Sequence, residues 1–169
     1  ISTESVENPN DFSKISLLGY GSFGVVFKVP DVHNKTSDSI AMKYFSSSKE
    51  FDEENKIFDE LDKKTNLSMV LPKRRKKYEK QKVTAMTHIS GEPLANLMNG
   101  NSQLAEIELS RISYSIIKSL LILHENQIAH GDLKPDNIMI QNAGTNGSIK
   151  TVFVDVGQLV FPGKPCAVC

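Results

Sequence analysis

Three side chains within six positions, Asp132, Lys134 and Asn137, place a carboxylate, an ammonium and a carboxamide in the segment His130-Gly131-Asp132-Leu133-Lys134-Pro135-Asp136-Asn137. Asp132 can accept the proton of an attacking hydroxyl. Lys134 can neutralise charge on a transferred phosphate, and Asn137 can offer an oxygen to a divalent cation. Phosphoryl transfer asks for this trio in this order. Solvated turns use the same residue types, so the reading depends on what the rest of the chain supplies.

Upstream, Gly19-Tyr20-Gly21-Ser22-Phe23-Gly24-Val25-Val26 fits G-x-G-x-x-G-x-V and lies between two strand-like runs, Ile15–Leu18 and Val25–Val29. A glycine turn joining two strands differs from a dinucleotide fingerprint, which opens a helix. Glycine lets main-chain N–H groups approach an anion with no Cβ in the way. Next, Ile40-Ala41-Met42-Lys43 is a short apolar strand ending in lysine, and a cation leaving a buried strand needs an anionic partner. On the following segment Ile57, Phe58 and Leu61 recur at helical spacing, and Glu54 falls on their face. Glu50, Glu53 and Glu60 are its rivals. Downstream, Thr151-Val152-Phe153-Val154 reads as a buried strand ending in Asp155-Val156-Gly157, which puts a carboxylate where it can bind a metal on phosphates.

Taken together, these motifs make the chain resemble a eukaryotic-type Ser/Thr protein kinase domain, from about Phe12 to Gly157. The resemblance implies an α+β, bilobal protein-kinase-like fold with a five-stranded antiparallel N-lobe and a reduced helical C-lobe. It implies ATP and Mg²⁺ as cofactors. Gly19, Gly21 and Gly24 would cover the phosphates, and Lys43, held by Glu54, would grip the α and β phosphates. Asp132 would be the catalytic base, Lys134 would steady the γ phosphate, and Asn137 and Asp155 would bind magnesium. Val26, Ala41 and Met139 would sandwich the adenine, Met86 would be the gatekeeper, and the backbone of Thr87 and Ile89 would form the hinge. Lysine two residues after the catalytic aspartate favours Ser and Thr over Tyr as acceptor in this family.

The chain departs from the family in three places. Gly131 replaces the arginine that normally grips an activation-loop phosphate, so control by such phosphorylation is not expected. Val156 replaces a phenylalanine, so packing against the helix carrying Glu54 should be looser. The sequence stops a dozen residues after Gly157, short of the later substrate-docking helices. The chain is therefore either a naturally minimal kinase, similar to the short effector kinases that bacterial pathogens deliver into host cells, or a fragment. An ATP-binding pseudokinase acting through a protein partner is the alternative reading. A small-molecule kinase of the antibiotic-phosphotransferase type also favours His-Gly-Asp, but the full glycine turn and Lys134-Pro135 argue against it.

Composition fits a globular chain: 39% hydrophobic, 24% charged, and 20 basic against 20 acidic residues. A net charge of zero gives no overall basic field for nucleic acid. No run is long and apolar enough to span a bilayer. Both cysteines, Cys166 and Cys169, lie in the last four residues, which suits an intracellular, cytoplasmic setting, or the host cytosol for a secreted effector. That tail outlines a lipidation signal with a poor final residue.

The expected plan is a lead-in (1–11), an N-lobe with hinge (12–89) and a truncated C-lobe (90–169). Strands are expected near Phe12–Leu18, Val25–Pro30, Ser39–Phe45, Met69–Pro72 and Lys82–Met86, with a helix from about Lys49 to Lys63 after Ser46-Ser47-Ser48. A short helix should cover Leu94–Met98. Ile112, Ile116, Leu120 and Leu123 mark a longer one from about Ala105 to Glu125. Two further strands, Ile138–Gln141 and Ile149–Val154, should be joined by the turn Gly144–Gly147. Lys73-Arg74-Arg75-Lys76-Lys77, with Lys80 and Lys82, reads as a solvated basic loop, with an anionic partner as its functional reading.

Overall fold

A computed structural model of the chain describes residues 14–31, 39–99, 106–143 and 147–163. The lead-in, the linker after Asp31, most of the Gly144–Gly147 turn and the cysteine tail lie outside the described residues. The chain forms two compact units, one of Ile1–Phe51 with Arg74–His88, the other of Asp52–Lys73 with Ile89–Cys169.

The first unit is a five-stranded antiparallel sheet built from β1 (Ser16–Gly21), β2 (Gly24–Pro30), β3 (Ser39–Phe45), β4 (Arg74–Tyr78) and β5 (Val83–Thr87), in the order β1-β2-β3-β5-β4. β1 runs further than expected, into the glycines, because Ser22 and Phe23 alone make the turn and Gly21 pairs with Gly24. In an antiparallel ladder directly paired residues share a face. Val26 pairs with Lys43, Lys43 with Thr84, and Ala41 with Met86, so Val26, Ala41, Lys43, Thr84 and Met86 line one face.

The sequence reading misplaces the fourth strand. Met69–Pro72 is no strand: Leu67–Met69 is a 3-10 turn, and Val70 and Leu71 close it by hydrogen bonds to the Leu67 carbonyl at 3.0 and 2.8 Å. Val70 and Leu71 are buried, and that burial gave the apolar signal. The strand is the basic segment Arg74–Tyr78, expected as a loop. It stands at the sheet edge, where solvated side chains suffice and apolar alternation is not required.

The helix α1 (Ser48–Leu61) opens on Ser47 as its N-cap. Ser47 Oγ accepts from the Glu50 main-chain N–H at 3.3 Å and donates to Glu50 Oε2 at 3.0 Å.

In the second unit, β6 (Glu92–Pro93), β7 (Ile138–Gln141) and β8 (Lys150–Phe153) form a small sheet, with α2 (Leu94–Asn99) and α3 (Glu106–Glu125) between β6 and β7 in sequence. The segment expected only as a connection supplies β6, which pairs Glu92 with Ile140 and Pro93 with Met139. The buried positions of α3 are Ile112, Ser115, Ser119 and Leu123, so its inner face turns slightly from the expected apolar stripe. Two serines bring it against β8. Ser119 donates to the Thr151 carbonyl at 3.0 Å, Thr151 Oγ1 donates to Ser115 Oγ at 2.9 Å, and Ser115 donates to the Ile149 carbonyl at 3.2 Å. Each hydroxyl is satisfied, so burying them carries little desolvation cost. Among the described residues no helix is long and apolar enough to cross a membrane.

Candidate active site

In the first unit the glycines fall into two classes. Gly24 has φ +143°, and a Cβ there would lie 2.0 Å from the Tyr44 carbonyl oxygen, so close contact of β2 with β3 requires glycine. Gly19 and Gly21 face open space, with nothing within 4 Å of a Cβ. Their bareness leaves room for a ligand rather than serving packing. The turn is tied down from behind: the Ser46 main-chain N–H donates to the Phe23 carbonyl at 3.2 Å, and Ser46 Oγ lies 2.9 Å from the Ser22 carbonyl oxygen and 2.6 Å from Glu50 Oε2. The Ser46 hydroxyl, set against desolvation and helped by Ser47 and the Lys43 charge, holds the Glu50 carboxyl below its usual range. Sequence reasoning saw Ser46 only as part of a helix-start signal.

Lys43 is buried, with its ammonium 5.1 Å from the centre of the Phe45 ring. Ala41 and Met86 are buried beside it on the same face, and Val26 is half-buried. Thr87 ends β5 opposite Ile40.

In the second unit, Glu54 is the buried acid of α1. Glu53 is exposed, and Glu60 is ion-paired with Lys63 at 3.1 Å on the surface. Burial separates Glu54 from its rivals. Gly157 shows where it points: a Cβ on Gly157 would lie 2.9 Å from Glu54 Oε2 and 3.6 Å from Asp155 Oδ1. Two carboxylates thus flank one bare Cα. Val156 is fully buried and Asp155 half-buried, with Asp155 in the left-handed region at φ 61°, ψ 73°. A non-glycine residue held there is locally costly, and such residues cluster at functional sites. Ile89 and Met139 are half-buried, and Met139 pairs with Pro93.

The Asp132 loop is held by its own polar groups. Pro135–Asn137 makes a 3-10 turn whose proline sits at the first position, where no N–H is needed. The Asn137 side chain is buried. Its Nδ2 donates to the Asp132 carbonyl at 2.9 Å and to Asp132 Oδ2 at 3.0 Å. Lys134 Nζ donates to the same Oδ2 at 2.6 Å. Both donors therefore meet one oxygen, and Oδ1 keeps its lone pairs to accept another proton. With Nδ2 committed, the Asn137 side-chain oxygen is the end left for a cation. Its main-chain carbonyl accepts from Val154 N–H at 2.9 Å, which joins this loop to the residue before Asp155.

The hydrogen bond from Lys134, its charge and that from Asn137 outweigh desolvation and hold the Asp132 carboxyl below its usual range. Lys134 is raised in return, chiefly by the same bond. Asp132 is thus ionised at neutral pH. Lys134→Ala is expected to bring this carboxyl back up toward the ordinary carboxylate value, read by a ¹³C NMR titration; an unmoved titration would assign its depression to Asn137 instead.

His130 is buried edge-on to Phe153, with ring centres 5.6 Å apart, and its two ring nitrogens have no hydrogen-bond partner within bonding geometry. Burial lowers its pKa, against the weaker pull of the Val154 and Asp132 main chain and of the Asp155 and Asp132 carboxylates. The ring is therefore neutral packing beneath the loop.

Gly131 has φ +78°, and a Cβ on it would lie 2.0 Å from the Gln158 carbonyl oxygen. Beside it, Ala129 and Val160 exchange main-chain hydrogen bonds at 3.0 and 2.9 Å. The stretch after Asp155-Val156-Gly157 thus lies directly on the Asp132 loop. Sequence reasoning missed Gln158 because its contribution is a main-chain carbonyl, to which residue type is blind.

The family described as protein kinase domain matches residues 12–157. Serine/threonine-protein kinase 4 homolog B of Dictyostelium discoideum is 30% identical over 146 residues, covering 83% of this chain and 13% of that protein. Dual specificity tyrosine-phosphorylation-regulated kinase 3 is 30% identical over 158 residues, or 89% of this chain, covering 27% of the Macaca fascicularis protein and 26% of the Homo sapiens one. The chain therefore spans about a quarter or less of the length of these relatives.

Proposed function

This chain belongs to the protein kinase domain family, and from that premise we propose that it transfers the γ-phosphate of ATP to Ser or Thr of a protein substrate without needing phosphorylation of an activation loop. The observation that carries the reading is Asp132, whose Oδ2 is taken by Lys134 and Asn137 while Oδ1 keeps its accepting capacity. An ionised carboxylate with one oxygen pinned aims the other at an incoming hydroxyl. Its low pKa makes it a weak base, so orientation is its main contribution, with the proton taken late. That suits a reaction in which position and charge matter more than covalent participation.

Other residues divide the remaining work. Open space over Gly19 and Gly21 admits phosphate oxygens to main-chain N–H groups. Lys43 supplies a desolvated positive charge, and Lys134 is placed to leave Asp132 for the γ phosphate when ATP binds. Val26, Ala41, Met86 and Met139 offer apolar surface to the adenine, and the main chain at Thr87 and Ile89 its hydrogen bonds. The Asn137 oxygen and the Asp155 carboxylate are hard donors that fit magnesium, which commonly takes one or two protein oxygens and completes its shell with phosphates and water. Bound there, the cation neutralises charge developing on the phosphates.

Lys134 two residues after Asp132 supports a Ser/Thr acceptor by family resemblance. Independence from activation-loop phosphorylation is supported by Gly131, which offers no arginine to hold such a phosphate.

The test is transfer of labelled phosphate from ATP·Mg²⁺ to a mixture of Ser-, Thr- and Tyr-containing peptides, beside nucleotide affinity by calorimetry. The expected result is turnover on Ser/Thr peptides by protein that mass spectrometry shows to be unphosphorylated. Nucleotide binding with no turnover would instead establish the interaction-module alternative.

A further inference from the structure

Seven of the chain's 20 lysines and arginines fall within Lys73–Lys82, against the single acid Glu79. This stretch carries +6 in a chain of zero net charge, so the charge is segregated and the remainder is acidic. β4, which holds four of the seven, is the last strand of its sheet and, among the described residues, pairs only with β5. Arg75, Lys76, Lys77 and Lys80 are exposed. Two of these exposed cations have surface contacts. Lys77 meets Glu79 at 3.1 Å on the surface, where ion pairs are weak, and Lys76 lies 4.9 Å from the Tyr78 ring centre.

Charged side chains on an edge strand ordinarily discourage strand-to-strand aggregation. This edge has that protection already, since β4 is five residues long and irregular between Arg74 and Lys76. Four consecutive cations, with Lys80 beyond, exceed the need. A repulsive edge is also selective: charges that turn away neutral or basic strands attract an acidic one.

The geometry chooses among anionic partners. Successive residues on a strand project to opposite faces, so Lys76 and Lys77 lie on opposite sides of the sheet. A lipid surface is a plane and meets one side. The one aromatic ring of the segment lies under Lys76, so bases have no open ring on which to stack. An extended polypeptide along the edge presents side chains alternately to both sides at the same ~7 Å repeat. We infer that β4 is a docking edge for an extended acidic segment of a protein partner, which lies along Arg75–Lys77 and reaches Lys80. This rests on the sheet edge and its charge, independent of phosphate transfer.

The test uses the 169-residue chain and a fluorescein-labelled dodecapeptide of repeating Glu-Glu-Thr-Thr, which carries glutamates on both faces when extended, with its Gln-for-Glu counterpart (the Gln-Thr peptide) as control, followed by fluorescence anisotropy without nucleotide. Binding is expected to weaken at least about tenfold between 50 and 300 mM NaCl, because exposed charge pairs are screened. It should vanish for the Gln-Thr peptide. Lys76→Glu and Lys77→Glu should each weaken it by about three- to tenfold, as expected for reversing one exposed charge. Unchanged thermal melting of both variants checks the fold. Equal affinity for the Gln-Thr peptide, or loss in only one of the two variants, overturns the inference. So does tighter binding of phosphatidylserine vesicles or of a dodecathymidylate through the same residues.

Discussion

Lys43→Ala and Asp155→Asn are each expected to lower phosphate transfer by about 10²–10⁴-fold, the range found when a positioned charge or proton-transfer group is removed from an active site. Lys43 is buried on β3, on the face it shares with Val26, Ala41 and Met86. Removing a buried ammonium leaves the anion that faces it uncompensated, so transfer is read per folded molecule, with thermal melting measured beside it. Lys43→Arg is not a rescue, because a planar fork does not replace a compact charge at a confined site. At Asp155 the asparagine variant is more informative than alanine. The residue sits at φ 61°, a conformation that asparagine tolerates and alanine resists. Asparagine therefore removes the charge while keeping backbone and shape. Retention of a tenth or more of wild-type transfer in either well-folded variant would remove that residue from the proposed mechanism.

The second large effect is expected at Gly131. Restoring the family's arginine there should damage the protein rather than improve it. Any Cβ meets the Gln158 carbonyl oxygen at 2.0 Å, and the backbone is left-handed. The left-handed conformation costs a non-glycine residue about 1–2 kcal/mol, and relieving the overlap adds about 1–3 kcal/mol. For a chain of this size these correspond to a fall in melting temperature of roughly 5–15 °C. The shift needed also disturbs Asp132, the next residue, so transfer should fall by more than about tenfold, since small misplacements of reacting groups are costly. Gly131→Ala should show the stability loss in milder form. An arginine variant as stable and as active as wild type would mean that the Gln158 carbonyl does not constrain this position. The sequence reading of Gly131 was a lost grip on phosphate; the structure gives it a second role, admitting the main chain of the following segment.

Much of the fold could be read from residue types because the relevant signals are local. β2, β3, β5 and β7 follow apolar or β-branched runs, α1 follows its capping serines and acidic first turn, and the Asp132 loop is a contiguous motif whose hydrogen bonds join residues two to five positions apart. The misplaced strand shows the limit. Val70 and Leu71 are apolar because they are buried in the second unit, where the Val70 carbonyl accepts from Phe153 at 2.8 Å. Arg74–Tyr78 is a strand because β5 offers it a ladder. Burial and pairing partner are separate properties, and hydropathy reports only the first. On α3 the small hydroxyls of Ser115 and Ser119 took the inner face because Thr151 and Ile149 stood ready to bond them.

By itself, the sequence determined the family, most of the elements and the identity of the chemical groups, since each is written in side-chain type and short-range spacing. Tertiary structure alone decided which oxygen of Asp132 is pinned, that Gly157 brings Glu54 and Asp155 together, that Gly131 must be bare, and that the basic segment is the last strand of its sheet among the described residues. Those outcomes depend on main-chain atoms and on residues brought together from distant parts of the chain, and neither leaves a mark in residue type.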